Sequence, residues 1–198
     1  MDRDDWNARY SGAELLWKAE PNRFLVEEIA GLQPGRALDV ACGEGRNAVW
    51  LAGRGWRVTG VDFSDVALSK ARRLADDRGT SVDWINADLA DWDPPEDAFD
   101  LVIVFYLQLP EAERHRVYGR MAGGLVSGGT MLVVGHDSEN LTGGYGGPQD
   151  PRFLFSAQDV AGDLPGLKIV KAEQVRRPVD TEDGVRTALD ALVRAVRP

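Results

Sequence analysis

Short apolar runs separated by amphipathic segments recur along the first two thirds of the chain. The run 101–105 is continuously apolar, as expected for a parallel strand buried on both faces. The pattern predicts strands over 37–41, 58–61, 82–86, 101–105 and 131–134. Because helical segments alternate with these strands, right-handed crossovers and a doubly wound parallel sheet are expected.

The intervening segments space their apolar residues at helical intervals. Phe24, Leu25, Ile29 and Leu32 share one face of a predicted helix, and Ser64 is placed to cap another. The predicted helices cover 21–32, 45–54, 64–77 and 110–123, with a short one after residue 156.

The C-terminal third has a weaker pattern. A strand is predicted over 167–175. The segment 184–196 fits both helical spacing and strand alternation, so the residues alone leave both open.

The candidate chemistry is concentrated between the first two strands. The first strand runs into the segment 42–47, CGEGRN, and the second strand ends on Asp62. Glycines in this turn allow a ligand to approach the backbone, and the following helix presents unpaired N–H groups with positive dipole. The order strand, glycine turn, helix, strand and acid predicts a nucleotide-type pocket.

The charges near this turn discriminate between ligands. Asp39 precedes the turn and Glu44 lies inside it, and both carboxylates would oppose a pyrophosphate. S-adenosylmethionine fits better, because its ammonium can pair with Asp39 while its carboxylate meets the helix start near Arg46 and Asn47. Asp62 is placed to accept both ribose hydroxyls.

The segment 38–64 resembles motif I of class I S-adenosylmethionine-dependent methyltransferases, in particular the small bacterial group similar to tellurite-resistance and thiopurine methyltransferases. Two flanking segments are also similar to that group. WNARY at 6–10, with Trp17 and Pro21, resembles its N-terminal helical lid, and GGT at 128–130 resembles its turn into strand five.

The resemblance implies an α/β fold with a doubly wound, mostly parallel seven-stranded sheet, the Rossmann-like methyltransferase fold, whose last strand is antiparallel. It therefore assigns 184–196 to a strand. A single methyltransferase domain over 1–198, with a lid segment over 1–20, is expected, and a chain of this length is short for two domains.

The resemblance and the glycine turn together predict a set of residues that bind S-adenosylmethionine. Asp88 and Leu89, after the third strand, resemble the family's adenine-edge motif; the less favoured alternative for Asp88 is a solvated helix cap. The complete set is Tyr10, Asp39, Ala41, Gly43, Gly45, Arg46, Asn47, Asp62, Phe63, Asp88, Leu89 and Phe105.

His136, Tyr106 and Asp137 are the candidate catalytic residues. A histidine at a strand end beside an aspartate can be oriented and can accept a proton from a thiol, hydroxyl or phenol. The alternative is that His136 and Tyr106 only pack at their strand ends. Arg152 and Arg186 are candidates for pairing with an acceptor anion.

The composition excludes some classes of binding partner. Proteins that bind nucleic acid usually have a basic surface, so a net charge of −9 argues against a nucleic-acid partner. No run approaches a membrane span or a secretion signal, so a cytoplasmic protein with no membrane partner is expected. The single cysteine, Cys42, is expected to be a small residue packed beside the ligand. The sequence indicates no metal site. It leaves both a monomer and a dimer open.

The predicted function is methyl transfer from S-adenosylmethionine to a small-molecule acceptor, such as a thiol, a chalcogen compound or a heteroaromatic metabolite, by in-line displacement. The alternative is a protein that binds S-adenosylmethionine without catalysis. A dinucleotide-dependent oxidoreductase is disfavoured by the charges at the turn.

Overall fold

A computed structural model describes residues 2–198, so residue 1 of the predicted domain and lid lies outside the described part. The strands are β1 (Arg36–Val40), β2 (Arg57–Asp62), β3 (Asp83–Asn86), β4 (Phe99–Phe105), β5 (Leu125–His136), β6 (Lys168–Thr181) and β7 (Gly184–Val196). The α-helices are α1 (Arg3–Tyr10), α2 (Arg23–Glu28), α3 (Arg46–Ala52), α4 (Asp65–Asp77), α5 (Glu111–Gly123), α6 (Asn140–Gly143) and α7 (Ala157–Gly162).

The strands form one seven-stranded sheet in the order β3-β2-β1-β4-β5-β7-β6. Strands β1 to β5 pair in parallel, whereas β7 runs antiparallel to both β5 and β6. The predicted doubly wound sheet with an antiparallel last strand is therefore confirmed. The order reverses beside β1, and ligands of such sheets bind where the strand order reverses, at the carboxyl ends of the strands.

Alternate residues of the central strands pack on opposite faces of the sheet. Leu38 and Val102 contribute to a cluster that includes side chains of α5 and α7. Ala37 and Leu101, one residue earlier, contribute to the cluster on the other face with α2 and α3. This two-sided burial explains why the central strands appear in the sequence as continuous apolar runs.

Several element boundaries differ from the predicted ones. The helix predicted over 21–32 is shorter, because α2 ends at Glu28. Strand β5 is longer than the predicted 131–134, since it begins at Leu125 and reaches His136. Segment 184–196 is β7, paired residue by residue with β6 over most of its length.

The N-terminal segment packs against the start of α4. The Ser64 hydroxyl donates to Asn7 Oδ1 at 2.6 Å, and the Asn7 amide donates to Asp65 at 3.1 Å. Ser64 also caps α4 by accepting the Ala67 N–H. These contacts fix α1 beside the carboxyl end of β2, close to the glycine turn.

Candidate active site

The turn after β1 has a strained backbone. Ala41 and Gly43 have φ of 53°, and Gly45 has φ of 77° at the N-cap of α3. For Ala41 this left-handed conformation costs free energy, and such residues concentrate at functional sites. A Cβ at Gly45 would lie 2.6 Å from the Trp84 ring, so this glycine is required for packing as well as for its φ.

Asp39 is a buried carboxylate with an unused oxygen. Its side chain is at the carboxyl end of β1, and its Oδ2 is buried without a hydrogen-bond partner among residues 2–198. Burial raises the pKa of Asp39 to about 7, and the nearby charge of Asp62 acts in the same direction. A buried carboxylate oxygen without a partner is costly, which indicates a site for a cationic or hydrogen-bond-donating ligand group.

Asp62 ends β2 and holds the turn in place. Its Oδ2 accepts the Gly43 N–H at 2.8 Å, and its Oδ1 accepts the Ser64 N–H at 2.9 Å. Burial raises the pKa of Asp62, although these hydrogen bonds oppose the increase. A carboxylate has about four acceptor positions, so Asp62 can still accept from a ligand.

The role of Glu44 in the structure differs from the one inferred from the sequence. Its carboxylate forms a buried salt bridge with Lys70 at 3.0 Å and accepts the backbone N–H groups of Leu16 and Trp17. Its charge is therefore neutralised and it faces the N-terminal segment. The electrostatic argument against a diphosphate consequently depends on Asp39 and Asp62, not on Glu44.

Arg46 and Asn47 begin α3. Arg46 is half-buried, and burial lowers the pKa of its guanidinium despite attraction to Tyr106 and Asp39. The Asn47 side chain is already used, because its Oδ1 accepts the Asn22 N–H at 2.9 Å. Arg46 is thus the polar side chain of this pair that remains suited to an anionic ligand group.

Tyr10 covers the glycine turn. It is buried at the end of α1, and its hydroxyl lies 3.0 Å from the position that a Cβ would take on Gly43. Its ring stacks on Trp6 with centroids 5.5 Å apart. The predicted lid residue therefore lies directly above the predicted cofactor turn.

The remaining cofactor-binding candidates follow β2, β3 and β4. Phe63 is half-buried beside Asp62, and Phe105 is buried in the core at the end of β4. Asp88 is exposed, and its carboxylate accepts the Ala90 N–H within a turn between β3 and β4, so it does not cap a helix. Leu89 is half-buried against the core.

A second polar cluster lies at the ends of β4 and β5. Tyr106 has a φ of 57°, and its hydroxyl donates to Asp190 Oδ2 at 2.8 Å. Arg177 Nε donates to the same oxygen at 2.7 Å, while His136 Nδ1 lies 3.4 Å from Asp190 Oδ1. The Tyr106 and His136 rings are 5.0 Å apart, so the two predicted catalytic residues are neighbours.

Comparison with known proteins agrees with this geometry. Residues 37–129 match the methyltransferase domain family. Over 125 residues the chain is 33% identical to demethylmenaquinone methyltransferase of Thermus thermophilus, covering 62% of this chain and 55% of the relative. The chain spans about half the length of the curated relatives that it matches.

Solved structures share the whole fold. The structure described for conversion of a disulfide bond into a thioacetal group during echinomycin biosynthesis has a TM-score of 0.77 at 25% identity and covers 98% of this chain and 92% of its own. The fold and the matched domain are those of a class I S-adenosylmethionine-dependent methyltransferase. TehB from Haemophilus influenzae (TM-score 0.75, 17% identity, 99% of this chain, 67% of its own) also shares the methyltransferase fold.

One structure with this fold was solved with the demethylated form of S-adenosylmethionine. NodS from Bradyrhizobium japonicum WM9, solved with S-adenosyl-L-homocysteine, has the same fold (TM-score 0.75, 18% identity, 99% of this chain, 98% of its own). The residues of this chain fit the cofactor, because the unpaired oxygen of Asp39 suits an ammonium and the spare acceptor positions of Asp62 suit a diol.

The surroundings of His136 correct one prediction. Asp137 does not orient the imidazole, because its Oδ1 accepts the Glu139 N–H at 2.9 Å and the Gln174 amide at 3.0 Å. The carboxylate that faces His136 is Asp190, on β7.

The arginines proposed for an acceptor anion also lie elsewhere. Arg152 is exposed and paired with Asp150, and Arg186 is exposed on β7. The arginines that reach the polar cluster are Arg46 and Arg177.

Asp190 and Arg177 were not identified from the sequence. They are brought together only by the β6–β7 register, which pairs Val175 with Asp190 and Arg177 with Ala188. The available signal was an isolated aspartate at 190 within an apolar run. A buried strand that interrupts its apolar pattern with one acid predicts a functional or paired charge. Among residues 2–198, no helix is long and apolar enough to cross a membrane.

Proposed function

We propose that the protein transfers a methyl group from S-adenosylmethionine to a small-molecule acceptor. The observation that carries the proposal is the buried, unpaired carboxylate oxygen of Asp39 at the carboxyl end of β1. An oxygen in this state favours a ligand with a cationic or donating group at that position. A diphosphate would instead place negative charge beside Asp39 and Asp62.

Each end of the cofactor has a chemically matched group in the chain. Asp39 pairs with the ammonium of its amino-acid moiety, and Arg46 with the carboxylate. Asp62 accepts the ribose hydroxyls while it keeps the N–H groups of Gly43 and Ser64. Tyr10 covers the site from the N-terminal segment and excludes water.

When bound, S-adenosylmethionine supplies an electrophilic methyl group on its sulfonium. The chain contributes mainly by holding the acceptor in line with that methyl group in a site closed to water, an effect worth roughly 7 to 11 kcal/mol in favourable cases. Tyr106 and His136, at the ends of β4 and β5, form the acceptor side of the site.

A sulfur acceptor is favoured within the predicted classes. The solved structure at 25% identity that covers 98% of this chain was described for conversion of a disulfide bond into a thioacetal group. Thiols are therefore the first acceptors to test, followed by phenols and heteroaromatic compounds.

The test is methyl transfer from donor labelled in its methyl group. The protein is incubated with the labelled donor and a panel of thiols, phenols and heteroaromatic compounds, and with a metabolite extract. Mass spectrometry then follows the label. Labelled product together with S-adenosylhomocysteine is expected. Tight donor binding without any labelled product would instead support a protein that binds the cofactor without catalysis.

A further inference from the structure

The carboxylate of Asp190 is the centre of the polar cluster at the acceptor side. It is fully buried on β7, and it contacts groups from three other strands: Tyr106 after β4, His136 at the end of β5, and Arg177 on β6. Arg177 and Asp190 lie outside the segment that matches the methyltransferase domain family. Family membership therefore does not assign a function to this carboxylate.

The two oxygens of Asp190 are used differently. Oδ2 accepts both the Tyr106 hydroxyl at 2.8 Å and Arg177 Nε at 2.7 Å. Oδ1 faces His136 Nδ1 at 3.4 Å and has one long contact, also of 3.4 Å, with Arg177. Burial acts to raise the pKa of Asp190, but the His136 ring and the Arg177 guanidinium outweigh it and hold the pKa below its usual value. The carboxylate is therefore ionised and faces the imidazole.

The neighbouring residues restrict the orientation of the His136 imidazole. Its Nδ1 is buried and makes no well-formed hydrogen bond with any group in residues 2–198, and Asp190 Oδ1 is the acceptor at ion-pair distance. A Cβ on Gly147 would lie 2.8 Å from the ring, so the Gly143–Pro148 loop packs directly on it. The His136 side chain is 15% exposed, and Nδ1, but not Nε2, is a buried ring nitrogen without a hydrogen-bond partner.

We propose that Asp190 is the positioning residue of the acceptor site, and that it holds the His136 proton on Nδ1 so that Nε2 is free to receive a proton from the acceptor. This inference rests on the proposed function. It also defines the acceptor class, namely a nucleophile that carries a dissociable proton, such as a thiol or a hydroxyl. Tyr106 and Arg177 keep Asp190 fixed while this happens.

The step balances in atoms and charge. The acceptor sulfur or oxygen forms a bond to the methyl carbon as the bond from that carbon to the donor sulfur breaks, and the electron pair stays on the donor sulfur. The acceptor proton moves to His136 Nε2 and then to water. The imidazolium formed in between is stabilised by the carboxylate of Asp190. The groups that face the ring are Asp190 and Tyr106, and the nearby cations Arg177 and Arg46 both interact with Tyr106.

Asp190→Asn makes a specific structural prediction. The amide oxygen should replace Oδ2, because Tyr106 and Arg177 both donate there. The amide NH₂ must then face His136 Nδ1 and donate to it, which forces the ring proton onto Nε2. Asp137→Asn is the matched control, since Asp137 is a buried acid next to His136 in sequence but is bonded to Glu139 and Gln174.

Nitrogen-15 NMR of the imidazoles reports the tautomer directly. The chain has two histidines, so His115→Gln assigns the His136 signals. Wild type and Asp137→Asn are expected to carry the proton on Nδ1, and Asp190→Asn on Nε2. A wild-type ring protonated on Nε2, or the same tautomer in wild type and Asp190→Asn, would overturn the inference. The wild-type spectrum alone is decisive if Asp190→Asn does not fold.

Turnover with an accepted thiol or hydroxyl gives the second readout. Asp190→Asn should lower kcat on the order of 10²-fold, and it should cost nothing further in a His136→Gln background. If the effects of Asp190→Asn and His136→Gln on kcat were additive, Asp190 would not act through His136. Absence of turnover in wild type would overturn the proposed function, whereas the tautomer measurement would still decide the role of Asp190.

Discussion

The Lys70 ammonium lies 3.0 Å from the Glu44 carboxylate, and both side chains are almost completely buried. Glu44 also accepts the N–H groups of Leu16 and Trp17, and Lys70 donates to the Glu14 carbonyl. An acid of the glycine turn and a lysine of α4 together hold the N-terminal segment beside the cofactor site. The pair thus links stability of the fold to closure of the site.

Breaking this pair should destabilise the protein strongly. Lys70→Met leaves the Glu44 charge buried without a counterion, which should lower the free energy of unfolding by about 3 to 5 kcal/mol. The double change Glu44→Gln with Lys70→Met should be much less costly. Urea unfolding gives the free energy of unfolding of each variant. The control is Glu27→Gln, which removes an exposed pair with Arg23 and should cost less than about 0.5 kcal/mol. Equal losses for Lys70→Met and Glu27→Gln would refute the buried-pair account.

Cofactor affinity should depend on pH through Asp39. Burial raises the pKa of Asp39 to about 7, so below that pH the ligand-free protein carries a proton that an ammonium must displace. The affinity for S-adenosylhomocysteine should therefore rise as pH increases from about 5.5 to 7.5, with proton release on binding at the acid end. Titration calorimetry in buffers of different ionisation enthalpy measures the release. Asp39→Asn should abolish most of it, and an affinity independent of pH would contradict the assignment.

The same shift predicts how stability changes with pH. Unfolded aspartate loses its proton near pH 4, whereas folded Asp39 keeps its proton to about pH 7. Between these values the folded state binds more protons than the unfolded state, so this residue makes the protein less stable as pH rises. Asp39→Asn should flatten that part of the pH–stability curve in urea unfolding. A curve that keeps its full slope in the variant would assign the effect to another group.

Asp62→Ala should weaken S-adenosylhomocysteine binding by about 1 to 3 kcal/mol, because a buried charged acceptor is removed. The variant also releases the N–H groups of Gly43 and Ser64, so a modest loss of stability is expected with it. Calorimetry gives the affinity, and circular dichroism verifies the fold. Undiminished affinity in folded Asp62→Ala would show that this carboxylate does not hold the ribose.

Substitution by alanine should destabilise the protein to different extents at two glycines that both have positive φ. At Gly45 a Cβ would lie 2.6 Å from the Trp84 ring and 2.8 Å from Ala71, so clash adds to strain and a loss of about 2 to 5 kcal/mol is expected. At Gly79, with φ of 61°, a Cβ would meet open space, and only about 1 kcal/mol should be lost. Thermal unfolding compares the two. Similar losses would mean that Gly45 is needed for its backbone conformation alone.

The central sheet could be predicted because its strands are buried on both faces and leave a local signal. The runs at 37–41 and 101–105 fall on β1 and β4, and the glycine turn between β1 and α3 was placed correctly. The length of β5 was underestimated because its first half contains Ser127, Gly128 and Gly129, which are uncommon in strands.

The polar side of the site could be predicted only in part. Tyr106 and His136 were found because each lies at the end of a buried apolar run, Tyr106 directly after β4 and His136 as the last residue of β5. Asp190 and Arg177 join them through pairing of β6 with β7, a long-range contact that no local pattern encodes. Glu44 was placed in the correct turn, but its partner Lys70 lies 26 residues away on α4.

The ammonium-binding role of Asp39 is tested most directly by comparing two ligands on wild type and Asp39→Asn by titration calorimetry at pH 7.5. S-adenosylhomocysteine carries the amino-acid group, and 5′-methylthioadenosine lacks it. Asp39→Asn is expected to bind S-adenosylhomocysteine about 10- to 100-fold more weakly, the equivalent of about 1.5 to 3 kcal/mol, and 5′-methylthioadenosine as tightly as wild type does. Equal loss for both ligands, or no binding of S-adenosylhomocysteine to folded wild type, would contradict the account.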